Sequence, residues 1–198
     1  MVAFCWLAII GASIAIEPIK LDVLNSYEGN LSAEEKDLHL LNMIQVFGGL
    51  SGLAGAEVVK FKAPKPDWTL KKIEFLLYDG YNGTRASYPS PQVIAFEIRD
   101  KNFDLLYRYA DIQLPYTNFL MNITNPVPAT FDLPSIKVGE EFYVLFFDRG
   151  AVRVMAKFNS TGNSSFYDPL TGQLFKAELI AKNNNTIPVN WIVNAAGI

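Results

Sequence analysis

Cysteine and histidine are almost missing from this chain of 198 residues. It contains one of each, Cys5 and His39, and its charge is modest, with 17 Lys and Arg against 20 Asp and Glu. One histidine and one cysteine cannot supply the nitrogen and sulfur ligands of a typical zinc site. The basic residues are scattered and form no stripe that could neutralise phosphates, so we expect no nucleic-acid partner.

Catalytic motifs are equally scarce. A Ser-His-Asp triad would need His39, which precedes the β-rich part of the sequence, and the chain has no G-x-S-x-G elbow. The Gly-rich stretch at 48–55 lacks the Lys-Ser/Thr pair of a phosphate-binding loop. Glycoside hydrolysis needs two carboxylates, but Glu140 and Glu141 follow a hairpin glycine and are typical of a solvated turn. We therefore predict that the protein is not an enzyme.

The N-terminal residues indicate export. Residues 2–16 carry no charge, and such a run is short for a bilayer span of about 20 residues but fits the core of a signal peptide. Ser13 and Ala15 provide small residues for a cleavage site. No Lys or Arg precedes the run, so a retained segment that anchors or assembles the protein stays open. We predict a signal peptide or hydrophobic N-terminal segment over 1–16 and a secreted, cell-surface protein.

Glycosylation sequons agree with export. Six of the fifteen asparagines begin an N-x-S/T sequon, whereas the 18 serines and threonines lead us to expect about one or two by chance. The alternative, Asn- and Ser-rich turns, is compatible with sugars, since glycans need exposed loops. We predict glycosylation among Asn30, Asn82, Asn122, Asn159, Asn163 and Asn184.

Residues 17–54 are predicted to form an N-terminal arm. Residues 19–29 have no regular pattern, and Ser32 with Glu35 forms a capping box that begins a helix over 32–47. A Gly-rich connector follows. The stretch 14–23 alternates partly and could pair with the open sheet edge of a neighbouring copy, although Pro18 limits it to an edge position.

From residue 55 to residue 198 the hydrophobic period changes to two, which predicts one β-domain. In the strand at 93–99, Ile94, Phe96 and Ile98 point inward and Ala95, Glu97 and Arg99 outward. About nine short strands separated by turn residues predict a mostly β, antiparallel two-sheet sandwich. They are expected at 58–62, 68–78, 93–99, 105–110, 130–133, 141–148, 152–158, 174–180 and 191–195. The predicted core comprises Ile73, Phe75, Ile94, Phe96, Ile98, Val144, Phe146, Val152, Val154 and Trp191.

The order of these features resembles a galactose-binding-like jelly-roll module of secreted prokaryotic, archaeal-type proteins. The resemblance covers about three quarters of the chain, and it lies in GGLSGLAG, VVKFKAPKPDWTLKKIEF, VIAFEIRDKNFDLLY, TFDLPSIKVGEEFYVLFF and NWIVNAAG. It implies a jelly-roll topology and a non-catalytic role. Many such modules bind sugars. No single motif in these stretches is chemically specific.

Two kinds of site follow from this resemblance. Jelly-roll modules often hold one Ca²⁺ with loop carboxylates, which suits Asp79, Asp100, Asp104, Asp148 and Asp168, although Asp at strand ends is also ordinary turn chemistry. Sugar stacking would use the loop tyrosines Tyr78, Tyr81 and Tyr88, which as β-strand aromatics could equally pack on the sheet. Calcium is the only cofactor that we consider.

Two functions remain open at this point. The first is an extracellular structural subunit that assembles with itself into a filament, sheath or layer, with donor-strand exchange as a route. The second is a non-catalytic carbohydrate-binding module that recognises surface carbohydrate. We favour the structural function, because fold resemblance alone does not establish a ligand.

Overall fold

The computed structural model describes residues 20–26, 55–78, 94–111, 129–147, 153–158, 163–180 and 186–198. Within these ranges the regular structure consists of fifteen β-strands. They are β1 Asp22–Asn25, β2 Ala56–Lys62, β3 Thr69–Phe75, β4 Leu77–Tyr78, β5 Ile94–Asp100, β6 Leu105–Asp111, β7 Ala129–Lys137, β8 Glu141–Phe147, β9 Arg153–Val154, β10 Ala156–Phe158, β11 Ser164–Asp168, β12 Gln173–Lys176, β13 Glu178–Ile180, β14 Thr186–Trp191 and β15 Val193–Gly197. The predicted segment 1–16 and the predicted helix at 32–47 lie outside the described residues.

Four antiparallel sheets contain these strands. The largest has the order β12-β11-β2-β8-β5-β6, and the next has the order β1-β15-β3-β7. Two smaller sheets, β10-β14-β13 and β4-β9, complete the set. The predicted mostly β, antiparallel architecture is confirmed.

One hydrophobic core joins the two larger sheets, because each contributes alternate side chains to it. Phe75 of β3 lies 5.3 Å from Phe96 of β5 and 5.1 Å from Phe146 of β8, measured between ring centroids. Eight of the ten predicted core residues are buried: Ile73, Phe75, Phe96, Ile98, Val144, Phe146, Val154 and Trp191. The side chains of Ile94 and Val152 lie outside the described residues. Period-two alternation thus identified the inner face correctly.

Three predicted strands are interrupted, and the predicted continuity was wrong. The predicted strands at 68–78, 152–158 and 191–195 break at Leu76, Met155 and Ile192, all of which are buried. The strands before and after each break pair with different partners. At Leu76, β3 lies between β15 and β7 whereas β4 pairs with β9; at Met155, β9 pairs with β4 whereas β10 pairs with β14. At Ile192, β14 lies between β10 and β13 whereas β15 lies between β1 and β3. An apolar pattern continues through a break, so the sequence does not reveal it.

Strand β7 runs further than predicted. We expected it to stop at Leu133 before Pro134, but pairing with β3 resumes at Ile136 after a register shift. β7 is an edge strand of its sheet, where proline is tolerated because the missing N–H faces no ladder partner.

Two strands were missed completely, and β14 was missed over residues 186–190, because the predicted strand began only at Trp191. Residues 22–25, expected to be irregular, form β1 and pair with β15 of the same chain. Residues 164–168 form β11, which pairs with β2 on one side and β12 on the other. The predicted strand over 174–180 is also split into β12 and β13 at Ala177.

Candidate functional site

The outer face of the six-stranded sheet is not the polar surface that the alternation predicted. Ala95 and Glu97 were expected to face solvent, yet both are buried, Glu97 to 2% exposure. Ala56, Val58 and Leu145 form a second, smaller buried cluster. The sheet is therefore covered on both faces along its central strands, which a period-two pattern cannot distinguish from a half-exposed sheet.

Glu97 is the chemical centre of this outer face. Oε2 accepts hydrogen bonds from Arg99 Nε at 2.8 Å and Nη2 at 2.7 Å. Oε1 accepts from Arg108 Nε at 2.7 Å and Nη2 at 2.6 Å. A buried carboxylate is tolerated only when it is paired and hydrogen-bonded, and here both oxygens are engaged.

Strand geometry explains why these three residues meet. Arg99 lies two residues after Glu97, so both point to the same face of β5. Arg108 lies directly opposite Glu97 in the β5–β6 register. Two guanidinium groups share one carboxylate, which leaves a net positive charge, and the Arg108 side chain is 60% exposed.

Aromatic rings surround the Arg99 guanidinium. Its Cζ lies 5.1 Å from the Phe103 ring centroid and 5.7 Å from that of Tyr167, within the range of cation–π contacts. The Phe103 ring centroid lies 5.2 Å from that of Tyr143 and 4.9 Å from that of Tyr167. We call Arg99, Phe103, Tyr143 and Tyr167 the arginine–aromatic cluster.

A tight turn between β5 and β6 positions this cluster. Phe103 has a left-handed backbone, with φ of 70°, which is unusual for a bulky residue and stores strain. Arg99 Nη1 donates to the Phe103 carbonyl oxygen at 2.9 Å, and Asp100 Oδ1 accepts from the amides of Asn102 and Asp104 at 2.8 and 2.9 Å. These bonds hold the Phe103 ring over the guanidinium.

The candidate calcium ligands occupy separate turns. Asp100 and Asp104 share the β5–β6 turn, where the Asp100 carboxylate already binds main-chain amides. Asp168 belongs to the β11–β12 turn, where its oxygens accept from Leu170 N at 2.9 Å and Thr171 Oγ1 at 2.8 Å. Asp79 and Asp148 lie outside the described residues. Among the residues that the structure describes, no three His, Cys, Asp or Glu side chains are grouped to hold a metal.

Hydrogen bonding also affects the acidity of Asp168. The Thr171 hydroxyl, followed by the Leu170 amide, holds the pKa of its carboxyl below the ordinary aspartate value. Hydrogen bonds to a carboxylate favour the charged form. Asp168 therefore acts as the capping residue of its turn, which is the ordinary role of aspartate at this kind of position.

Few of the other predicted site residues are described. Tyr78 belongs to β4, with its main chain opposite Arg153, and Tyr81 and Tyr88 lie outside the described residues. Asn163 is exposed in a bend immediately before β11, and its carbonyl oxygen accepts from Lys60 N at 2.8 Å. The remaining five sequon asparagines also lie outside these residues.

The two edge strands of the six-stranded sheet expose apolar side chains. On β6, Leu105 is 46% and Leu106 39% exposed; on β12, Leu174 is 41% and Phe175 49% exposed. We call these pairs the β6 edge and the β12 edge. Sequence reasoning missed them, because nothing in either segment states which strands lie at the ends of the sheet. The only local signal is a pair of adjacent apolar residues in each strand, Leu-Leu in β6 and Leu-Phe in β12. Strict alternation would make one residue of each pair polar.

Comparison with known proteins found no match to the chain among protein-family models, curated proteins or solved structures. In the part of the chain that the structure describes, no helix is both long and apolar enough to cross a membrane.

Proposed function

We propose that this protein is an exported, glycosylated structural subunit that assembles with further copies of itself at the cell surface. The observation that carries the proposal is the pair of edges on the six-stranded sheet, each exposing two large apolar side chains. Soluble monomers protect such edges with charge, proline or covering segments, because open strands attract other chains. Exposed apolar groups of this kind mark interaction surfaces.

Exchange of the N-terminal strand β1 between copies is a second route to assembly within this proposal. β1 adds to β15 through a four-residue antiparallel register. Beyond it, Ser26 N donates to Val193 O at 3.1 Å, and Ser26 Oγ accepts from Val193 N at 2.9 Å. Residues 27–54 join β1 to β2, and a chain of this length could reach a neighbouring copy. Donor-strand exchange would require β1 to leave its own β15 and pair with the β15 of a neighbour.

Export and the absence of catalysis enter the proposal from the sequence. Six sequons and the uncharged segment over 2–16 are the supporting observations. The Glu97 carboxylate, which is the most buried charged group of the outer face, is engaged by two arginines on both oxygens. This pairing supports a structural role for the carboxylate.

Carbohydrate binding remains the second candidate, and the arginine–aromatic cluster is the observation that favours it. The half-buried rings of Phe103 and Tyr167 lie beside Arg99, and the half-buried ring of Tyr143 packs against Phe103. Aromatic faces next to a hydrogen-bond donor suit the apolar faces and hydroxyls of a sugar ring. Phe103 contacts both tyrosine rings and Arg99, so a sugar would have to use the parts of these rings that remain exposed.

Electron microscopy of the natively secreted protein, with light scattering of the purified mature chain over a range of concentrations, tests the proposal. We expect ordered assemblies or a mass that rises with concentration. A protein that stays monomeric at high concentration, with and without Ca²⁺, contradicts the structural function. In that case, binding of a surface polysaccharide that is lost in Tyr143→Ala would establish the second candidate.

A disulfide tests the donor-strand route separately. Val23 lies opposite Ala196 in the β1–β15 register, and opposed residues of antiparallel strands are close enough to be bridged. The double variant V23C/A196C, when oxidised, keeps β1 on its own sheet. If assembly proceeds by exchange, the oxidised form stays monomeric and the reduced form assembles. Equal assembly of both forms contradicts exchange.

A further inference from the structure

Alternate side chains of β1 point toward the protein, and each of them meets a different kind of partner. The strand pairs with β15, and successive side chains on a strand point to opposite faces. Leu24 packs against the main hydrophobic core, whereas Val23 is 59% exposed and Asn25 is also exposed. Asp22, Leu24 and Ser26 therefore share the face that meets the protein.

Asp22 and Leu24 make two different contacts on this face. The Asp22 carboxylate lies 3.6 Å from Lys65 Nζ, which belongs to the connection between β2 and β3. Leu24 lies opposite Ala195, a residue of the core. An exposed ion pair adds little affinity, whereas burial of an apolar side chain stabilises a contact in proportion to its area. Leu24 therefore contributes more to holding β1 than Asp22 does.

Ser26 is bound at the break between β14 and β15. Its hydroxyl donates to Trp191 O and accepts from Val193 N at 2.9 Å, and its amide donates to Val193 O at 3.1 Å. Trp191 and Val193 flank the buried break residue Ile192. A hydroxyl can bond main-chain groups on both sides of the break because it both donates and accepts.

These contacts amount to a recognition pattern with a charge at Asp22, an apolar side chain at Leu24 and a hydroxyl at Ser26. Proteins bind an added strand in this way: main-chain bonds along a sheet edge give affinity, and alternate side chains give specificity. We call the edge of β15 that β1 covers, together with Lys65 and the main chain of residues 191–193, the strand site. Its chemistry fits one segment of this chain.

The same strand is available from a second copy. β1 lies at the edge of its sheet, where β15 is its partner, and residues 27–54 join it to β2. A second copy carries an identical β1, so every contact with the strand site can form again between two chains. Exchange of an identical element is a low-cost route to association for this reason.

We infer that the strand site recognises residues 22–26 through Asp22, Leu24 and Ser26, and that in the assembly it takes these residues from a second copy. This inference rests on the proposed function and specifies the segment that is donated and the side chains that select it. Each copy donates one strand and accepts one. Sequential donation gives an open-ended chain of subunits, and reciprocal donation gives a closed dimer.

Cross-linking between two labelled chains tests the occupant. Val23 lies opposite Ala196, which is buried, so a thiol at that position is reached mainly from the strand beside it. A Val23→Cys chain and an isotopically heavy Ala196→Cys chain, both carrying Cys5→Ser, are mixed while monomeric and then concentrated and oxidised. Mass spectrometry should detect a disulfide-linked pair of one light and one heavy chain. Each variant alone should give at least about tenfold less linked dimer, because two copies of the same thiol are not opposed. Asn25→Cys with Asn194→Cys is an independent second pair.

Synthetic peptides of residues 19–26 test the recognition pattern. Substitutions in β1 itself would weaken the closed and the exchanged forms equally, so a separate peptide is the better probe. The unmodified peptide should compete for the strand site and suppress the linked light–heavy pair. A peptide with Leu24→Ala and Ser26→Ala should need at least about tenfold more for the same effect, because it loses core burial and the bonds at the break. The matched control, with Val23→Thr and Asn25→Thr, changes only outward-facing side chains and should stay within about threefold of the unmodified peptide.

The results separate this inference from the proposed function. If the unmodified chain assembles but neither mixture gives a linked light–heavy pair, another surface carries the assembly and the inference is wrong, whereas the proposed function stands. Equal inhibition by all three peptides contradicts recognition by alternate side chains. If the unmodified chain is monomeric under every condition, both the inference and the proposed function are overturned.

Discussion

The main-chain amide of Met155 donates a 2.8 Å hydrogen bond to the carbonyl oxygen of Leu76. The two residues are the break points of two different strands. Ile192, the break point of a third strand, completes a ring, because its amide donates to Met155 O at 2.8 Å and its carbonyl accepts from Leu76 N at 3.1 Å. Three buried main-chain segments thereby satisfy one another's hydrogen-bonding groups at the point where each changes its sheet partner. Buried peptide groups need such partners.

This three-way junction predicts a large effect of truncating Met155. Its side chain is 3% exposed, so Met155→Ala should lower the free energy of unfolding by about 2–5 kcal/mol. Leu170→Ala removes an apolar side chain that is 73% exposed and should change it by less than about 0.5 kcal/mol. Urea unfolding measures both. Equal losses in the two variants would contradict the role of the junction.

The centre of the core predicts the cost of removing an aromatic ring. Phe96 is fully buried, and its ring centroid lies 4.9 Å from that of Tyr109 and 5.1 Å from that of Phe131. Phe96→Ala should lower the free energy of unfolding by about 3–5 kcal/mol. Phe175→Ala is the matched control, because that ring is 49% exposed. A loss below about 1 kcal/mol for Phe96→Ala would be incompatible with its burial.

Close packing at Gly197 predicts that a larger residue at this position destabilises the fold. A Cβ there would lie 2.7 Å from Cζ2 of Trp68 and even closer to the Thr69 carbonyl oxygen. Gly197→Ala should cost about 1–3 kcal/mol, since overpacking forces a shift of the neighbours. Gly139→Ala should be nearly neutral, because the nearest atom would be 4.0 Å away. Denaturant unfolding followed by tryptophan fluorescence reports both effects.

The Asp168 turn predicts a specific pH dependence. A carboxyl whose pKa is lower in the folded chain than in the unfolded chain stabilises the fold above the unfolded value of about 3.9. That contribution is lost as the pH falls through the folded pKa. Thr171→Val removes the largest cause of the lowered pKa, so it should raise the pKa of Asp168 and reduce the loss of stability in acid.

NMR titration of the Asp168 carboxyl carbon measures this change directly. Thr130→Val is the control, because its hydroxyl bonds to Glu74 Oε2 at 3.4 Å on another strand. The Asp168 pKa should be unaffected by that substitution. An unchanged pKa in Thr171→Val would show that the hydroxyl does not cap this turn in solution.

Sequon density predicts glycans at two or more of Asn30, Asn82, Asn122, Asn159, Asn163 and Asn184. Asn163 is exposed, so its side chain has room for a sugar on the folded protein. Intact mass of natively expressed protein measures occupancy, and Asn163→Gln should remove one glycan where that site is used. Asn102→Gln, outside any sequon, should leave the glycan mass unchanged. A mass equal to that of the unmodified polypeptide excludes the prediction.

The sequence by itself determined the β-class of the fold and much of its core. Ile73, Phe75, Phe96 and Ile98 were identified by alternation alone, because side chains on a pleated strand point to opposite faces with a period of two. The turns were indicated by residues such as Asp100 and Asp168, whose preferences act over a few positions. These are local properties of the chain, so they can be inferred without knowing which strands are neighbours.

Only the tertiary structure decided the pairings and the surfaces that follow from them. The break at Met155 depends on Leu76 and Ile192, which are distant in sequence, and nothing in its own segment marks it. The alternation of β5 predicts that Glu97 is exposed. Its burial follows only from the position of Arg108 opposite it and from the covered outer face around it. The β6 and β12 edges likewise become edges only through the order of the strands. Strand order and burial depend on the combined contacts of remote segments, which a local periodicity does not contain.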